Sequence, residues 1–524
     1  MPEPGFYLMN LLRLLPLLLA LPLLNACSKD VQTPASSTLL TNAMIFDGSG
    51  ADPFRGSVRI DYSTQRISAV GDVEPVAGEI IYDAEGLAVA PGFIDSHSHH
   101  DTELDQYRHM PGVVSQGVTT VIRGMDGFSV EGISDGYTST SDFNEAFEAN
   151  PAAVNFGSFS PHNSIRAAVM GTDYRRHATD DELAAMARLL EADMEAGAFG
   201  MSTGLEYEPG IYSADEEIVT LARIVAAHAG RYVTHMRDED DLVMDAIDEV
   251  IEIGRKAQIP VHISHIKLAD RALWGTTDTV IEALDRARAE GVELTADIYP
   301  YQRWASNLAI LFPQRDFTRR EDAEFTFAHT ATAEDILLLK FPANPQFNGR
   351  TVADIAELTG LSPEDTLMNL AQTADDYFRE TGQEGSSIVA KGMSEQDIMA
   401  FMQWPHIVFC SDGWHGGHPR GYGSFPRVLG HYVRELGILT LPEAIHKMTG
   451  LTASTLGIRD RGLIRVGNYA DIVVFDPDTI IDRASMEDPT AVSIGIRNVW
   501  VNGQLVFDHG EPTDVHAGQI ISRP

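Results

Sequence analysis

Eight short apolar runs, alternating with helical patterns, constrain the fold of this chain more than any other feature of its sequence. Each run has the length of a buried strand and is bounded by turn residues. The eight runs are LAVAPGFIDSH, GVTTVIRG, AAVNFGSF, GAFGMST, RYVTHM, PVHISHI, VELTADIYPY and HIVFCSD. Strand–helix alternation repeated eight times predicts an α/β fold, a parallel (β/α)8 barrel of the TIM type.

Capping patterns predict helices between several of these runs. Thr179 and Glu182 have the spacing of a capping box, and Gly197 follows the apolar residues of this helix as a stop signal. Ser213 and Glu216 have the same spacing. They predict that another helix begins at Ser213.

The remaining segments predict an accessory domain and a lid. Residues 39–88 and 460–524 read as short strands with turn signals, so the two ends of the chain are expected to form one small composite β-domain. The barrel is expected to span residues 89–459. Within it, residues from about 305 to 403 are too many for a simple connection between the last two strands. We expect this insertion to form a lid over the barrel mouth.

The first residues resemble a bacterial lipoprotein signal peptide, predicted for residues 1–27. An apolar run at residues 14–24 is too short to span a bilayer and is followed by LNAC, which resembles a lipobox with Cys27 as the lipidated residue. Ser28 favours sorting to the outer membrane by its resemblance to sorted lipoproteins. Residues 28–38 read as a polar tether. We expect a cell-envelope lipoprotein that meets the membrane only through the lipid on Cys27.

Composition excludes one class of partner. The chain has 524 residues and a formal net charge of −38. Such a surface repels phosphate backbones, so we do not expect nucleic-acid binding. The length suits one large barrel with an accessory domain, and a content of 44% hydrophobic and 22% charged residues is that of an ordinary globular protein.

Histidines recur where predicted strands give way to loops, which is where barrels of this type carry their chemistry. His97 and His99 end the first run, and side chains alternate along an extended chain, so both point the same way. His235 ends the fifth run, His265 the sixth, and Asp412 the last. A lone histidine at a strand end is usually an ordinary loop or core residue. Recurrence at three strand ends favours metal ligands, and the five residues form a plausible zinc site.

Longer motifs carry a resemblance to a known family. They are PGFIDSHSHHD, QGVTTVIRG, AGAFGMSTGLEYEPG, THMRDE, ISHIK, TADIYPY, SDGWHGGHPRGYGSFPRVLG, MTGLTASTLGIRDRG and GNYADIVVFDP. The chain resembles the amidohydrolase superfamily and, within it, the N-acyl-D-amino-acid deacylases, or D-aminoacylases. The resemblance extends from about residue 39 to about residue 506. GMSTGLEYEPG and GSFPRVLGHYVRE are long enough to be highly specific.

The resemblance implies roles for individual residues. It implies that one or two zinc ions are bound by His97, His99, His235 and His265, and that the acid–base residue is Asp412. It implies that the substrate's α-carboxylate is held by Tyr207, Lys267, Tyr299 and Arg420. Arginine, lysine and tyrosine hydroxyls suit a free carboxylate. The alternative for Lys267 and Arg420 is that both are solvated charges at the rim.

The chain departs from the family in two motifs. Many superfamily members carry a carbamylated lysine after the fourth strand, where this chain has FGMSTG. D-aminoacylases use a cysteine after the second strand, where this chain has RGMDGFS and Asp126 takes the cysteine's place. A carboxylate can bind or bridge zinc, so we expect Asp126 to be a ligand; the alternative is a turn residue ahead of Gly127. The replacement leaves the choice between one and two metal ions open.

The implied activity is zinc-dependent hydrolysis of N-acyl-D-amino acids to a D-amino acid and a carboxylate. Alternatives are another amidohydrolase activity, such as a cyclic amidase or a D-residue dipeptidase, and a non-catalytic solute-binding lipoprotein. The sequence does not identify the D-side chain. Arg303, close after Tyr299, is either a selector of acidic D-residues such as D-glutamate or an ordinary rim charge.

Overall fold

The computed structural model describes residues 35–129 and 137–524. The predicted signal peptide with Cys27, and most of the predicted tether, lie outside the described residues. Within the two described ranges, no helix combines the length and the apolar character needed to cross a bilayer.

The two ends of the chain build one nine-stranded sheet beside the barrel. The N-terminal strands are β1 (Ser37–Ile45), β2 (Phe54–Asp61), β3 (Arg66–Gly71), β4 (Ile80–Asp83) and β5 (Ala88–Pro91). The C-terminal strands are β18 (Ile472–Phe475), β19 (Ile496–Val501), β20 (Gln504–Asp508) and β21 (Glu511–Pro512). The two sets join where β5 pairs antiparallel with β18. The composite β-domain predicted from the sequence is confirmed.

The eight predicted runs form the strands of the parallel barrel. They are β6 (Phe93–Asp95), β7 (Val118–Arg123), β8 (Asn155–Ser158), β9 (Ser160–Pro161), β10 (Gly200–Gly204), β11 (Arg231–His235), β12 (Val261–Ile263), β13 (Leu294–Ile298) and β17 (Ile407–Phe409). The third barrel strand continues past its run, which ends at Phe159, and bends there, so that β8 pairs with β7 and β9 pairs with β10. A parallel bridge between Ser98 and Gly413 closes the ring. The predicted (β/α)8 barrel is confirmed.

One strand from the C-terminal segment belongs to the barrel and not to the β-domain. The short strand β22 (Ile520–Ile521) pairs parallel with β8. Because the third barrel strand turns toward β10 only after Ser158, the outer edge of β8 is open to another strand, and β22 occupies it. The predicted β-domain segment of residues 460–524 therefore ends before these residues.

Helices surround the barrel and fill the insertion. They are α1 (Pro111–Val114), α2 (Thr140–Ala149), α3 (His162–Met170), α4 (Asp180–Glu195), α5 (Asp215–Ala227), α6 (Val243–Ala257), α7 (Thr277–Ala289), α8 (Arg320–Phe325), α9 (Val352–Thr359), α10 (Pro363–Thr381), α11 (Glu395–Gln403), α12 (Arg420–Arg427), α13 (Leu441–Met448) and α14 (Gly450–Leu456). The capping box of Thr179 and Glu182 opens α4 as predicted. The prediction for Ser213 is wrong: α5 begins at Asp215, and the Ser213 hydroxyl donates to the carbonyl of Gly210.

The insertion before the last barrel strand has its own sheet and core. Its strands β14 (Arg303–Ser306), β15 (Leu337–Lys340) and β16 (Ser387–Lys391) form an antiparallel sheet in the order β14-β16-β15. Its core contains Trp304, Phe312 and Phe341. The helix α11 lies within the predicted 305–403 insertion but packs on the barrel, where Asp397 accepts hydrogen bonds at the start of α7. We refer to residues 303–391 as the lid.

Candidate metal centre and active-site pocket

The carboxyl ends of five barrel strands bring the sequence-predicted ligands together. Donor atoms of these side chains form two compact groups, with all atoms of each group within 4.8 Å of one another. The first group is His97, His99, Asp126 and Asp412, and the second is Asp126, His235 and His265. A parallel barrel directs strand ends inward around one mouth, so residues far apart in sequence converge there.

Asp126 belongs to both groups. Its Oδ2 lies 3.3 Å from Nε2 of His97 and 3.3 Å from Nε2 of His99. Its Oδ1 lies 3.3 Å from Nε2 of His265. The two oxygens of one carboxylate therefore face different histidines, as a bridging ligand requires.

The spacing of the donor atoms fits zinc. His235 Nδ1 lies 3.1 Å from His265 Nε2, and His97 Nε2 lies 3.3 Å from His99 Nε2. Zinc–nitrogen bonds of about 2.0–2.1 Å in a tetrahedral site place neighbouring ligand atoms about 3.3 Å apart. Imidazole and carboxylate are ligands that zinc accepts. The residues present can therefore hold the metal that the sequence predicts.

The electrostatics of the cluster also favour a cation. Burial raises the pKa of Asp126, but the charges of His97 and His265 outweigh burial and hold that pKa well below its usual range. Burial lowers the pKa of His99, but its contacts with Asp126 and Asp412 outweigh burial and raise that pKa to about 10. Positive charge is thus stabilised between two buried carboxylates, and a divalent ion supplies such charge.

Three residues of this cluster have left-handed backbone conformations. The φ angles are 53° at Asp126, 35° at His265 and 48° at Asp412. Such conformations cost about 1–3 kcal/mol each and persist where the surrounding structure holds them, typically at functional sites. Asp126 therefore occupies a tight turn and also directs its carboxylate into the histidine cluster.

Two glutamates that sequence reasoning missed contact the second donor group. Glu206 Oε2 lies 2.7 Å from Nε2 of His235, and Glu239 Oε1 lies 3.2 Å from Nδ1 of His265. Carboxylates in such positions fix the tautomer and the orientation of metal-binding histidines. Glu206 lies in the motif GLEYEPG and Glu239 in the motif THMRDE. The sequence signal that could have identified them is an acidic residue close to Tyr207 or His235.

The pocket beside the second donor group holds the four residues assigned to the substrate's carboxylate. It opens at the barrel mouth between the histidine cluster and the lid. Its lining includes Tyr207, Lys267, Tyr299 and Arg420, together with the lid residue Trp304. The four residues that the resemblance assigns to the substrate's carboxylate thus line one pocket.

Both cations of the pocket are buried and paired. Lys267 Nζ lies 2.6 and 2.7 Å from the two carboxylate oxygens of Glu239. Arg420 Nη1 lies 2.6 Å from Oδ2 of Asp412. Only 4% of either cationic side chain is exposed. The alternative of solvated rim charges for Lys267 and Arg420 is therefore wrong.

The two tyrosines lie against the cluster, Tyr299 fully buried and Tyr207 half-buried. The Tyr207 ring lies 4.3 Å from the His235 ring, centroid to centroid. The guanidinium carbon of Arg420 lies 4.8 Å from the ring centroid of Tyr299. Among the described residues, none hydrogen-bonds to the buried hydroxyl of Tyr299, although its ring lines the pocket. A buried donor without a partner indicates a position where a ligand supplies the acceptor.

The structure places Arg303 outside this pocket, so the substrate-binding role considered for it is not supported. Arg303 lies on β14, and its guanidinium donates to the main-chain carbonyl of Asp335 at 3.2 Å. A carboxylate oxygen of Asp335 lies 3.7 Å away. On β14, which pairs antiparallel with β16, the Arg303 side chain contacts Asp335 within the lid, while the neighbouring Trp304 lines the pocket.

Comparison with known proteins agrees with this geometry. The amidohydrolase family model matches residues 81–339 and 319–507. A D-aminoacylase from Alcaligenes xylosoxydans xylosoxydans is 36% identical over 504 residues, which cover 93% of this chain and 97% of that enzyme.

Two solved structures extend the agreement to three dimensions. A D-aminoacylase studied for its binuclear metal centre is 34% identical with a TM-score of 0.83, covering 94% of this chain and 100% of that one. An N-acyl-D-glutamate deacylase from Bordetella bronchiseptica, complexed with zinc and a phosphonate inhibitor, is 33% identical with a TM-score of 0.82, covering 93% and 100%. This chain carries two donor groups that share one aspartate. The chain belongs to the amidohydrolase family and is a metal-dependent amidohydrolase of the D-aminoacylase type.

Proposed function

We propose that the protein hydrolyses the amide bond of N-acyl-D-amino acids, releasing a carboxylate and a D-amino acid. The observation that carries this proposal is the pocket that places two buried cations, the buried Tyr299 and the half-buried Tyr207 beside the histidine cluster and Asp412. These groups are the donors that a free α-carboxylate requires. The names of the similar enzymes support the same substrate class.

Zinc is the proposed metal, held by His97, His99, Asp126, His235 and His265. When bound, zinc polarises an amide carbonyl as a Lewis acid and makes water nucleophilic at neutral pH. Glu206 and Glu239 keep His235 and His265 oriented through their second ring nitrogens.

Asp412 is the proposed acid–base residue. Burial raises its pKa, but the charges of Arg420, His265 and His97 outweigh burial and hold the pKa well below its usual range. Asp412 is therefore ionised at neutral pH and accepts the proton of the attacking water. The same carboxyl group then delivers that proton to the leaving amine. Its Oδ2 is held by Arg420, while Oδ1 lies 3.3 Å from Nε2 of His99 and faces the cluster.

Stereoselectivity follows from fixing two points of the substrate. A carboxylate bound by Arg420, Lys267 and the two tyrosines, together with an amide at the histidine cluster, leaves one face of the amide toward Asp412. Such fixed orientation contributes to rate as well as to selectivity. An L-isomer bound at the same two points directs its side chain toward a different wall.

The alternatives make different demands on the pocket. A hydantoin lacks a free carboxylate, so a hydantoinase does not need the buried Lys267 and Arg420. A D-residue dipeptidase does meet a carboxylate and belongs in the test. A non-catalytic binding protein does not require Asp412 beside a complete set of ligands.

The test is a screen of purified, zinc-loaded protein against N-acetyl-D-amino acids, their L-isomers, N-acetyl-D-amino acid amides, a hydantoin and dipeptides ending in a D-residue. We expect turnover of the N-acetyl-D-acids and little turnover of the L-isomers or the amides. Equal turnover of acids and amides would contradict the carboxylate role. Hydrolysis confined to the hydantoin or the dipeptides would assign the protein to one of the alternative activities.

A further inference from the structure

Carboxylates outnumber lysine and arginine in the lining of the active-site pocket. The carboxylates are Glu206, Glu239, Asp240 and Asp412, and the cations are Lys267 and Arg420. Glu239 is paired with Lys267 and Asp412 with Arg420. The other two acidic side chains of the lining, Glu206 and Asp240, are paired with no lysine or arginine among the described residues.

Glu206 has no arginine or lysine partner for its carboxylate among the described residues. Its carboxylate contacts Nε2 of His235, which is neutral as a metal ligand. Arg315 of the lid donates to the main-chain carbonyl of Glu206 and not to its carboxylate. The side chain of Glu206 is 19% exposed, so its charge is poorly solvated.

Asp240 is a second carboxylate without a cation. Its Oδ1 accepts a hydrogen bond of 2.7 Å from the main-chain nitrogen of Asp241, and Asp238 is its acidic neighbour. Burial and the charge of Asp238 raise the pKa of Asp240 to about 9. Asp240 thus lies in an acidic part of the pocket wall that lacks compensating positive charge within the described residues. A cation bound beside it would lower that pKa and favour the ionised carboxylate.

Two buried hydrogen-bond donors of the pocket residues have no acceptor among the described residues. The hydroxyl of Tyr299 is fully buried, lines the same cavity and has no hydrogen-bond partner in the described part of the chain. Nε of Arg420 is likewise buried without an acceptor. These two donors suit the α-carboxylate that all substrates of the proposed class share. Discrimination between D-side chains is left to the other lining groups.

We propose that the acidic wall formed by Glu206 and Asp240 selects N-acyl-D-amino acids with cationic side chains, such as those of D-lysine, D-ornithine and D-arginine; this rests on the deacylase function proposed above. An N-acyl-D-lysine carries one negative and one positive charge, whereas an N-acyl-D-glutamate carries two negative charges. Like charges brought together in a buried site are strongly disfavoured. Arg303 does not line the cavity, and its guanidinium donates to the main-chain carbonyl of Asp335.

The experiment compares matched substrates with zinc-loaded, full-length protein. N-acetyl-D-lysine, N-acetyl-D-norleucine, Nα,Nε-diacetyl-D-lysine and N-acetyl-D-glutamate differ in side-chain charge. We expect kcat/KM for N-acetyl-D-lysine to exceed that for the norleucine and diacetyl compounds by about tenfold or more, and glutamate to be the poorest. Equal or better turnover of norleucine or glutamate would overturn the proposal. If no N-acetyl-D-amino acid of any charge is hydrolysed, the deacylase function itself fails, which is a separate result.

Variants locate the selectivity. In Asp240→Asn and Glu206→Gln, we expect the lysine-to-norleucine ratio of kcat/KM to fall by about tenfold. Asp248→Asn is the matched control, because Asp248 is exposed on α6, does not line the pocket and lies outside the acidic cluster of Asp238, Asp240 and Asp241. Its ratio is expected to equal that of the wild type. A ratio unchanged in both pocket variants would overturn the assignment of the acidic wall. Since a ratio is measured, a general loss of activity in Glu206→Gln does not obscure the result.

Discussion

Asp126 combines two demands at one residue: a left-handed backbone and a carboxylate between two histidine groups. Asparagine tolerates the same backbone conformation, so Asp126→Asn keeps the turn and removes the charged ligand. We expect both Asp126→Asn and Asp126→Ala to lose at least one zinc equivalent per chain, measured by metal analysis after dialysis. Asp126→Cys is expected to retain zinc more tightly than the wild type, because thiolate is the softer ligand. Wild-type zinc content and affinity in the Asn and Ala variants would show that Asp126 serves only the turn.

Asp412 allows a second prediction at this scale. Asp412→Asn preserves the shape of the side chain but cannot accept the proton of water. We expect kcat to fall by roughly 10²–10⁴-fold while the zinc content remains at the wild-type level. Asp248→Asn is again the control, because it makes the same chemical change at an exposed site outside the pocket. Near-normal turnover in zinc-loaded Asp412→Asn would remove Asp412 from the mechanism.

The limits of sequence reasoning are visible in individual residues. His97 and His99 lie just past β6, and their shared direction was predictable because side chains two residues apart point the same way in an extended chain, which the bridge of Ser98 with Gly413 continues. Glu206 and Glu239 were missed because a loop can bring an acidic side chain to a ligand's second nitrogen without any periodic signal. Arg303 was ambiguous because the direction of its side chain depends on how β14 pairs with β16, at the far end of the lid segment.

At the scale of elements, the lid is joined to the barrel by specific contacts. Arg271, in the loop after β12, donates to the main-chain carbonyls of Phe327 and His329 in the lid. Asp270 lies 3.2 Å from Nδ1 of His329. Since Trp304 and other lid residues line the pocket, these contacts hold one wall of the proposed substrate site in place.

We expect Arg271→Ala to loosen this attachment. Hydrogen exchange in residues 326–330 should become faster, and KM should rise severalfold with a smaller change in kcat, because the binding wall is affected and Asp412 is not. Arg350→Ala is the matched control, since Arg350 bonds to Gln346 within the lid. Exchange rates in Arg271→Ala equal to those of the control would contradict an anchoring role.

Element boundaries were less predictable than the elements themselves. The capping box at Thr179 was identified because both of its hydrogen bonds are local. Ser213 has the same spacing to Glu216, but its hydroxyl bonds to the preceding turn, so the pattern alone does not decide which partner a serine takes. The predicted insertion ends at about residue 403 and so includes α11, which packs on the barrel. The apolar face of α11 does not indicate whether the helix packs on the lid or on the barrel.

At the scale of the whole molecule, the fold was predictable from the sequence because strand–helix alternation is repeated along the chain. An error in predicting one element therefore does not change the predicted fold. The pairing of the two chain ends was predictable from their shared strand-and-turn character. The pairing of β22 with the barrel strand β8 was not predictable from the sequence. It depends on the edge of β8, which is free only because the third barrel strand bends toward β10.

The lipobox-like motif that ends at Cys27 bears on where the whole molecule is located. We propose that Cys27 carries a lipid; it lies ten residues before β1 begins at Ser37, and an extended chain of that length reaches at most about 35 Å. Wild-type protein should then be found in the membrane fraction, and Cys27→Ser should be released into the soluble fraction. Cys410→Ser is the matched control, because the chain has two cysteines and Cys410 is buried in the barrel. Mass spectrometry of the N-terminal peptide tests the acyl chains directly. Soluble wild-type protein without them would show that the motif at Cys27 is not processed.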